Sequence, residues 1–319
     1  MQTTVKPPAG MGMKDLIKLH SADKSASEST SSSSQKYVPS REEIKKIAKL
    51  IEKTTKMEVS ELLKNGEGKV KSVSKDVADK ADHEEMQSIF KKFIRYPEVL
   101  EQIRQKITNE ISYGGNIPAF FSSPDNTVYL ISDNFEQIVK KYCENRGLNV
   151  DSEEGRRIEK FLTLFYFTHE HVHQTVKRNN PLVGNNREDA LMEQAKIISE
   201  HLEDEHKTPE KEETAVKSLR SIVDRMNALE AYNEGVTHYA TDTIMCKLGY
   251  SELSAIQLRQ LREDKKYVPI HSKGLRFVEA IQVKTHQNPI AFTINHPPLS
   301  MKYIENPDEY LKDREKGEI

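Results

Sequence analysis

The sequence predicts an α+β fold dominated by helices, with one small sheet. Apolar residues after residue 40 recur mostly at intervals of three and four, which is the period of an amphipathic helix. Cap residues such as Ser152 and Thr208 stand directly before these runs. Residues 119–121 and 127–131 have the short apolar composition of strands.

The first part of the chain divides into a tail and a helical region. Residues 1–39 contain a Ser-rich run and little apolar surface, so we expect a disordered tail. Ser40 and Glu43 form a capping box at the start of a helix. Further helices are predicted over 75–95 and 97–111. We therefore predict a helical N-terminal region over 40–112.

Residues 113–319 are predicted to form the second, larger domain. Its two strands form a hairpin, and Asp133 caps the helix that follows, with Glu136 at the capping-box position. A helix starts near Ser152, another covers 188–202, and the longest runs from Thr208 and Pro209 to about residue 247. Residues 290–294 have a strand-like composition.

Composition excludes several classes of protein. A net charge of −2 gives no global field that would attract nucleic acid, and no apolar stretch is long enough for an integral membrane segment. The two cysteines, Cys143 and Cys246, do not form a disulfide framework. We therefore expect a cytoplasmic protein, although non-classical export stays open. The oligomeric state is not predicted.

Residues 169–173 read His-Glu-His-Val-His, which is an H-E-x-x-H pattern. On a helix, His169 and His173 share one face and can bind the same Zn²⁺ ion. Glu170 points about 100° away, so it does not bind the metal but can take a proton from a water molecule. His171 lies on another face, where we expect it to be exposed or to support a ligand.

A catalytic zinc site needs a third protein ligand. The predicted long helix offers Glu230, Glu234 and His238 on one face. Asn233-Glu234-Gly235 resembles the Asn-Glu-Gly segment of gluzincins, the thermolysin-like zinc peptidases. The resemblance implies that Glu234 is the third ligand and that the domain is zincin-like, with a zinc-binding helix in its active site.

The residues around the proposed ligands suggest further roles. Gly235 would let the helix of Glu234 approach the zinc helix closely. Gluzincins often have a carboxylate four residues after the ligand glutamate, but this chain has His238 there, so Glu230 or Asp242 could orient a zinc ligand. A surface role for Glu230 is equally open.

The C-terminal part resembles a little-characterised group of prokaryotic metallopeptidase-like proteins. The shared features are Glu-Gly, a G-x-x-F-V helix at 274–278, P-P-x-S at 297–300 and a Pro-x-x-Tyr segment at 307–310. Gluzincins also stabilise the reaction's oxyanion with a downstream histidine or tyrosine. Tyr239, His271 and His296 are the candidates, and His296 could instead be a turn residue packed on Pro297.

These residues predict a zinc metallopeptidase that hydrolyses a peptide or protein substrate with water activated by Zn²⁺ and with Glu170 as general base. The gluzincin likeness also implies that 127–131 is an edge strand that binds the peptide backbone, with an ordinary core strand as the alternative. A metal-binding interaction protein without peptidase activity is the competing hypothesis for the whole chain.

Overall fold

Helices make up most of the fold. The computed structural model describes residues 36–76, 78, 118–122, 126–203, 208–263 and 269–319. The helices are α1 Arg41–Thr55, α2 Glu61–Lys64, α3 Ser132–Glu144, α4 Glu153–Asn179, α5 Pro181–Gly184, α6 Asn186–Glu203, α7 Pro209–Lys247, α8 Ser251–Glu263, α9 Pro269–Thr285, α10 Pro289–Thr293, α11 Met301–Glu305 and α12 Pro307–Glu315. The strands are β1 Lys69–Val73, β2 Ala119–Ser122 and β3 Thr127–Ile131. The helix-dominated α+β class is therefore confirmed.

Local cap chemistry determines where the main helices begin. The side chains of Ser40, Ser152 and Thr208 each accept a hydrogen bond from the backbone amide three residues later. Ser40 and Glu43 form the predicted capping box. Asp133, in contrast, is not a cap, because α3 already begins at Ser132 and has no side-chain cap. That prediction was wrong.

The three strands form one mixed sheet in the order β1-β3-β2. β2 and β3 are antiparallel, as predicted for a hairpin, whereas β1 pairs with β3 in parallel. All five residues of β3 are buried. β3 is therefore the central strand and not an edge strand, so the core-strand alternative is the correct one.

The sheet also joins the two predicted regions. β1 comes from the N-terminal region, yet it pairs with β3, and Ile47 and Ile51 of α1 lie in the same apolar core as α4 and α7. The predicted boundary near residue 112 falls outside the described residues, as do residues 1–35 and nearly all of the predicted helices over 75–95 and 97–111.

The core is centred on α4 and α7. α4 contributes the stripe that includes Phe161 and Phe165, and α7 contributes Tyr232 and Val236, all of them fully buried. α7 packs against α9, α6, α4, α8 and α1. The apolar run over 290–294 belongs to helix α10 and not to a strand, because Asn288 caps it and Pro289 occupies its first turn. Within the described residues, no helix is both long and apolar enough to cross a bilayer.

Candidate metal centre

Histidine and glutamate side chains from α4, α7 and α9 converge where these helices meet. His169 continues the buried stripe of α4 and stacks on Phe165, and His173 follows one turn later. Glu234 enters from α7, and His271 enters from α9. The structure thus brings together the three ligands predicted from the sequence.

The three predicted ligands are spaced as one metal ion requires. His169 Nε2 lies 3.1 Å from His173 Nε2 and 3.7 Å from Glu234 Oε2, and His173 Nε2 lies 3.3 Å from Glu234 Oε1. Zinc–ligand bonds of about 2.0–2.1 Å at tetrahedral angles separate two ligand atoms by ~3.3–3.4 Å. The two ring nitrogens and the Glu234 carboxylate are therefore close enough together to contact one ion, with a different carboxylate oxygen nearest to each histidine.

A second triad shares two members with the first. The donor atoms of His169, Glu234 and His238 all lie within 4.8 Å of one another. The predicted triad contains His173 in place of His238, and the two histidines border Glu234 at 3.3 Å and 3.7 Å, respectively. His169, His173, Glu234 and His238 therefore lie together at the centre.

Several polar atoms at the centre have no hydrogen-bond partner within the described residues. Glu234 Oε2 lies 3.7 Å from His169 Nε2 and His238 Nε2 and 3.3 Å from His271 Nδ1, yet it makes no hydrogen bond. Buried polar atoms without partners cost free energy. A cation that accepts the lone pairs of these atoms would remove that cost, so the donor set fits a metal ion.

Charge at the centre is dominated by Glu234. Burial raises the pKa of this carboxyl, but the neighbouring His173, His271 and His169 outweigh burial and hold the pKa well below its usual range. Burial lowers the pKa of His173, but Glu234 outweighs it and raises the pKa to about 9. The carboxylate therefore attracts positive charge, which a proton on His173 or a metal cation can supply.

Glu170 has the environment of a proton acceptor. It is only partly exposed on α4, and burial raises its pKa to about 7; nearby His173 opposes this rise and Glu234 adds to it. A carboxyl whose pKa is near neutrality both accepts and releases protons at neutral pH. Glu170 lies between the two histidine ligands in sequence, as the motif requires.

Thr237 contacts the predicted ligand His173, which the sequence did not predict. Its Oγ1 lies 3.2 Å from Nδ1 of His173. A hydrogen bond at the far nitrogen fixes the ring orientation and leaves Nε2 facing the centre. Asp242 does not perform this task, because its carboxylate accepts a hydrogen bond from Ser254 of α8 at 2.6 Å. Thr237 comes three residues after Glu234, so helical spacing could have suggested it.

Gly235 permits a close helix contact, but with a different partner from the one predicted. A Cβ atom on Gly235 would lie 2.2 Å from the backbone of Gly274 in α9, and one on Gly274 would lie 1.7 Å from the carbonyl oxygen of Ala231. Gly235 therefore admits α9 and not α4, the helix of the H-E-x-x-H motif. This contact belongs to the helix that carries His271.

The three residues that could stabilise the oxyanion, Tyr239, His271 and His296, occupy different places in the fold. His271 lies at the centre, whereas the hydroxyl of Tyr239 hydrogen-bonds Gln282 of α9 beside Glu279. His296 is exposed in the turn after α10, and its carbonyl accepts a hydrogen bond from Tyr310. The structure therefore does not bring Tyr239 or His296 to the metal ligands. The packing of α9 on α7 brings His271 to the centre, and sequence spacing does not reveal this packing.

His171 is a core residue and not an exposed one. It is 2% exposed and packs edge-on against Phe167 and Phe121, on a different face from the ligands. Phe121 belongs to β2, so His171 connects the metal helix to the edge of the sheet. The bulky side chains around it explain the burial that the polar motif alone did not predict.

Comparison with known proteins identifies no relative. No protein-family model, no curated protein and no solved structure matches this chain.

Proposed function

We propose that this protein is a zinc-dependent peptidase in which His169, His173 and Glu234 hold the metal and Glu170 is the general base. The convergence of these side chains is the observation that carries the proposal: the two Nε2 atoms lie 3.1 Å apart, and each lies 3.3–3.7 Å from one of the two Glu234 oxygens. The order H-E-x-x-H followed by Glu-Gly, on two helices that meet, agrees with the gluzincin resemblance. A zincin-like catalytic domain is part of the same proposal.

Bound zinc would supply Lewis-acid chemistry, by acidifying a water molecule and polarising the carbonyl of the scissile bond. Glu170 would accept the proton of an attacking water molecule and return it to the leaving amine. Thr237 keeps the His173 ring in its orientation through Nδ1. His271, and neither Tyr239 nor His296, is the residue that we propose to contact the substrate, since its ring borders Glu234 and is only partly buried.

Strand β2 offers a place for a peptide substrate. It pairs on one side with β3, and among the described residues no strand pairs with its other side. Unpaired backbone groups on an edge strand can bind an extended peptide as an additional strand. Phe121 of β2 contacts His171 of the metal helix, at a ring-centroid distance of 5.1 Å. A peptide along β2 would therefore run beside the helix that carries the catalytic groups.

The proposal is tested by metal analysis combined with peptide cleavage. We expect the purified full chain to bind zinc and to cleave members of a broad peptide library. A chelator should abolish cleavage, and added zinc should restore it. A chain that binds no zinc, or a zinc-loaded chain that cleaves no peptide in the library, would contradict the proposal.

A metal-binding interaction protein is the second candidate. It is favoured by His238, whose Nε2 lies 3.7 Å from Glu234 Oε2 and could add a fourth protein donor. Sites closed by four protein ligands are usually structural. Glu170 distinguishes the two candidates, because a structural site needs no proton acceptor.

A further inference from the structure

His238 is a buried imidazole with no hydrogen-bond partner among the described residues. It is 8% exposed, and both of its ring nitrogens lack partners. A buried polar group left in this state costs free energy. A neutral imidazole with a free lone pair is a metal donor.

The ring of His238 faces the proposed zinc ligands. Its centroid lies 4.6 Å from that of His169, and its Nε2 lies 3.7 Å from Glu234 Oε2. Its donor atom lies within 4.8 Å of the donor atoms of both residues. The ring centroid of His271 lies 5.7 Å from that of His238. His271 also borders Glu234, but His238 is the histidine whose donor atom lies close to those of both His169 and Glu234.

We propose that His238 is an exchangeable fourth protein ligand, which closes the metal centre at rest and leaves it when substrate enters. This inference rests on the metal site of the proposed function. A zinc site that works on water or substrate needs an open position, and four protein donors fill a tetrahedral site. The wild-type protein is then a latent enzyme, whose open position appears only when His238 turns away.

The lack of hydrogen bonds makes that exchange easy. A histidine ligand that also donates a hydrogen bond is held in one orientation. His173 has such a partner in Thr237, whereas neither nitrogen of His238 has one. Turning the His238 ring away would therefore break only its bond to the metal. A hydrogen bond therefore fixes the ring of His173 but, among the described residues, none fixes the ring of His238, although both rings border Glu234.

Zinc affinity of the full chain gives the first test. His238→Ala should weaken zinc binding more than about 100-fold in competition with a chelator, beyond the 10–100-fold typical of a residue that only orients a ligand. His171→Ala is the matched control, since it truncates another buried histidine of the same region that faces away from the centre. It should leave zinc affinity unchanged. His238→Asn replaces His238→Ala if the alanine variant fails to fold.

Cobalt, whose visible spectrum reports its ligands, gives the second test. A water ligand on such a metal ionises near pH ~7. The cobalt-loaded wild type should therefore keep one spectrum from about pH 6 to about pH 9, because His238 excludes water. The cobalt-loaded His238→Ala variant should change its spectrum over that range, and added imidazole should restore the wild-type spectrum.

Two results would overturn the inference. Equal zinc affinity of wild type and His238→Ala would show that His238 is not a ligand. A pH-dependent spectrum of the wild type would show that water already occupies the fourth position. Wild-type protein that binds neither metal contradicts the proposed function itself, so the two failures are distinguishable.

Discussion

Glu170 and Glu234 occupy one centre and have opposite tasks. Glu234 carries a negative charge at neutral pH because three histidines hold its pKa low, whereas burial raises the pKa of Glu170 to about 7. A metal ligand needs a permanent charge, and a general base needs a proton affinity near neutrality. The environments of the two carboxyls therefore agree with the roles that we propose.

We expect Glu170→Gln to separate metal binding from chemistry. The amide keeps the size of the side chain but cannot accept the proton, so peptide cleavage should fall by at least about 100-fold, the lower end of general base contributions. Zinc content, measured by elemental analysis, should equal that of the wild type. Cleavage at the wild-type rate would remove Glu170 from the mechanism.

Glu234 and Glu230 provide a matched pair one helical turn apart. Glu234 is 17% exposed at its side chain and lies at the centre, whereas Glu230 is exposed. Glu234→Gln removes a charge that the cation needs, so zinc affinity should fall severely; Glu230→Gln should change it by 10–100-fold at most, the range of ligand-supporting residues. Chelator competition in one buffer measures both. The opposite order would show that Glu230 is the ligand.

Helices α7 and α9 make a close backbone contact at Gly235 and Gly274. Alanine in place of a mid-helix glycine ordinarily stabilises a protein by about 0.5–1 kcal/mol. Gly274→Ala should instead lower the free energy of unfolding, because the new Cβ would overlap the Ala231 carbonyl. Overpacking of this kind costs about 1–3 kcal/mol.

Denaturant unfolding of Gly274→Ala would measure that reversal. Lys273→Ala is the control, because Lys273 is exposed and its ion pair with Glu305 is also exposed. Its free energy of unfolding should stay within about 0.5 kcal/mol of the wild type. A Gly274→Ala variant more stable than the wild type would contradict the close contact.

Helix α1 is linked to α4 through Glu43. Burial raises the pKa of Glu43, but hydrogen bonds from Lys160, Tyr37 and Ser40 outweigh it and lower the pKa to about 2. Its folded pKa is below the value of about 4.3 in an unfolded chain, so its stabilising effect is full above that value. The effect is lost as the pH falls towards 2.

Glu43→Gln should therefore destabilise the fold at neutral pH and progressively less below about pH 4.3. The difference in free energy of unfolding between variant and wild type, followed from pH 7 to about pH 2, measures this. Glu42→Gln is the control, because the side chain of Glu42 is 81% exposed. A difference that stays constant with pH would contradict the ion pair.

Across the whole molecule, metal binding should stabilise the fold, because the ligands come from distant parts of the chain. Free zinc at a thousand times its Kd would add about 4 kcal/mol to the free energy of unfolding. For a chain of this size, that raises Tm by on the order of ten degrees. Thermal unfolding with and without a chelator checks this, with His173→Asn as the variant that should not respond. Equal Tm values for the wild type would contradict a folded-state site.

Features that depend on local chemistry were predictable from the sequence. Ser152 and Thr208 mark true helix starts because caps act within one turn, and the spacing of His169 and His173 fixes their common face. Glu234 was predicted from the resemblance of Asn233-Glu234-Gly235 to the gluzincin segment and not from spacing alone. Its place at the centre, unlike its metal, is visible in the structure.

Features that depend on tertiary packing were not predictable. The parallel pairing of β1 with β3 joins segments far apart in sequence, so no local sequence pattern predicts it. The same is true of the contact of Gly235 with Gly274, which selects His271 over His296. Burial of His171 depends on Phe121 from another strand.

The glycine contact between α7 and α9 also has a consequence for the order in which the protein is made. His169, His173, Glu234 and His238 all precede Gly274 in the chain, so synthesis completes the donor set before it completes the helix that packs over it. A nascent chain can thus expose every donor to the metal pool of the cell while α9 is still unfinished. Docking of Gly274 on Gly235 would then enclose an ion that is already bound.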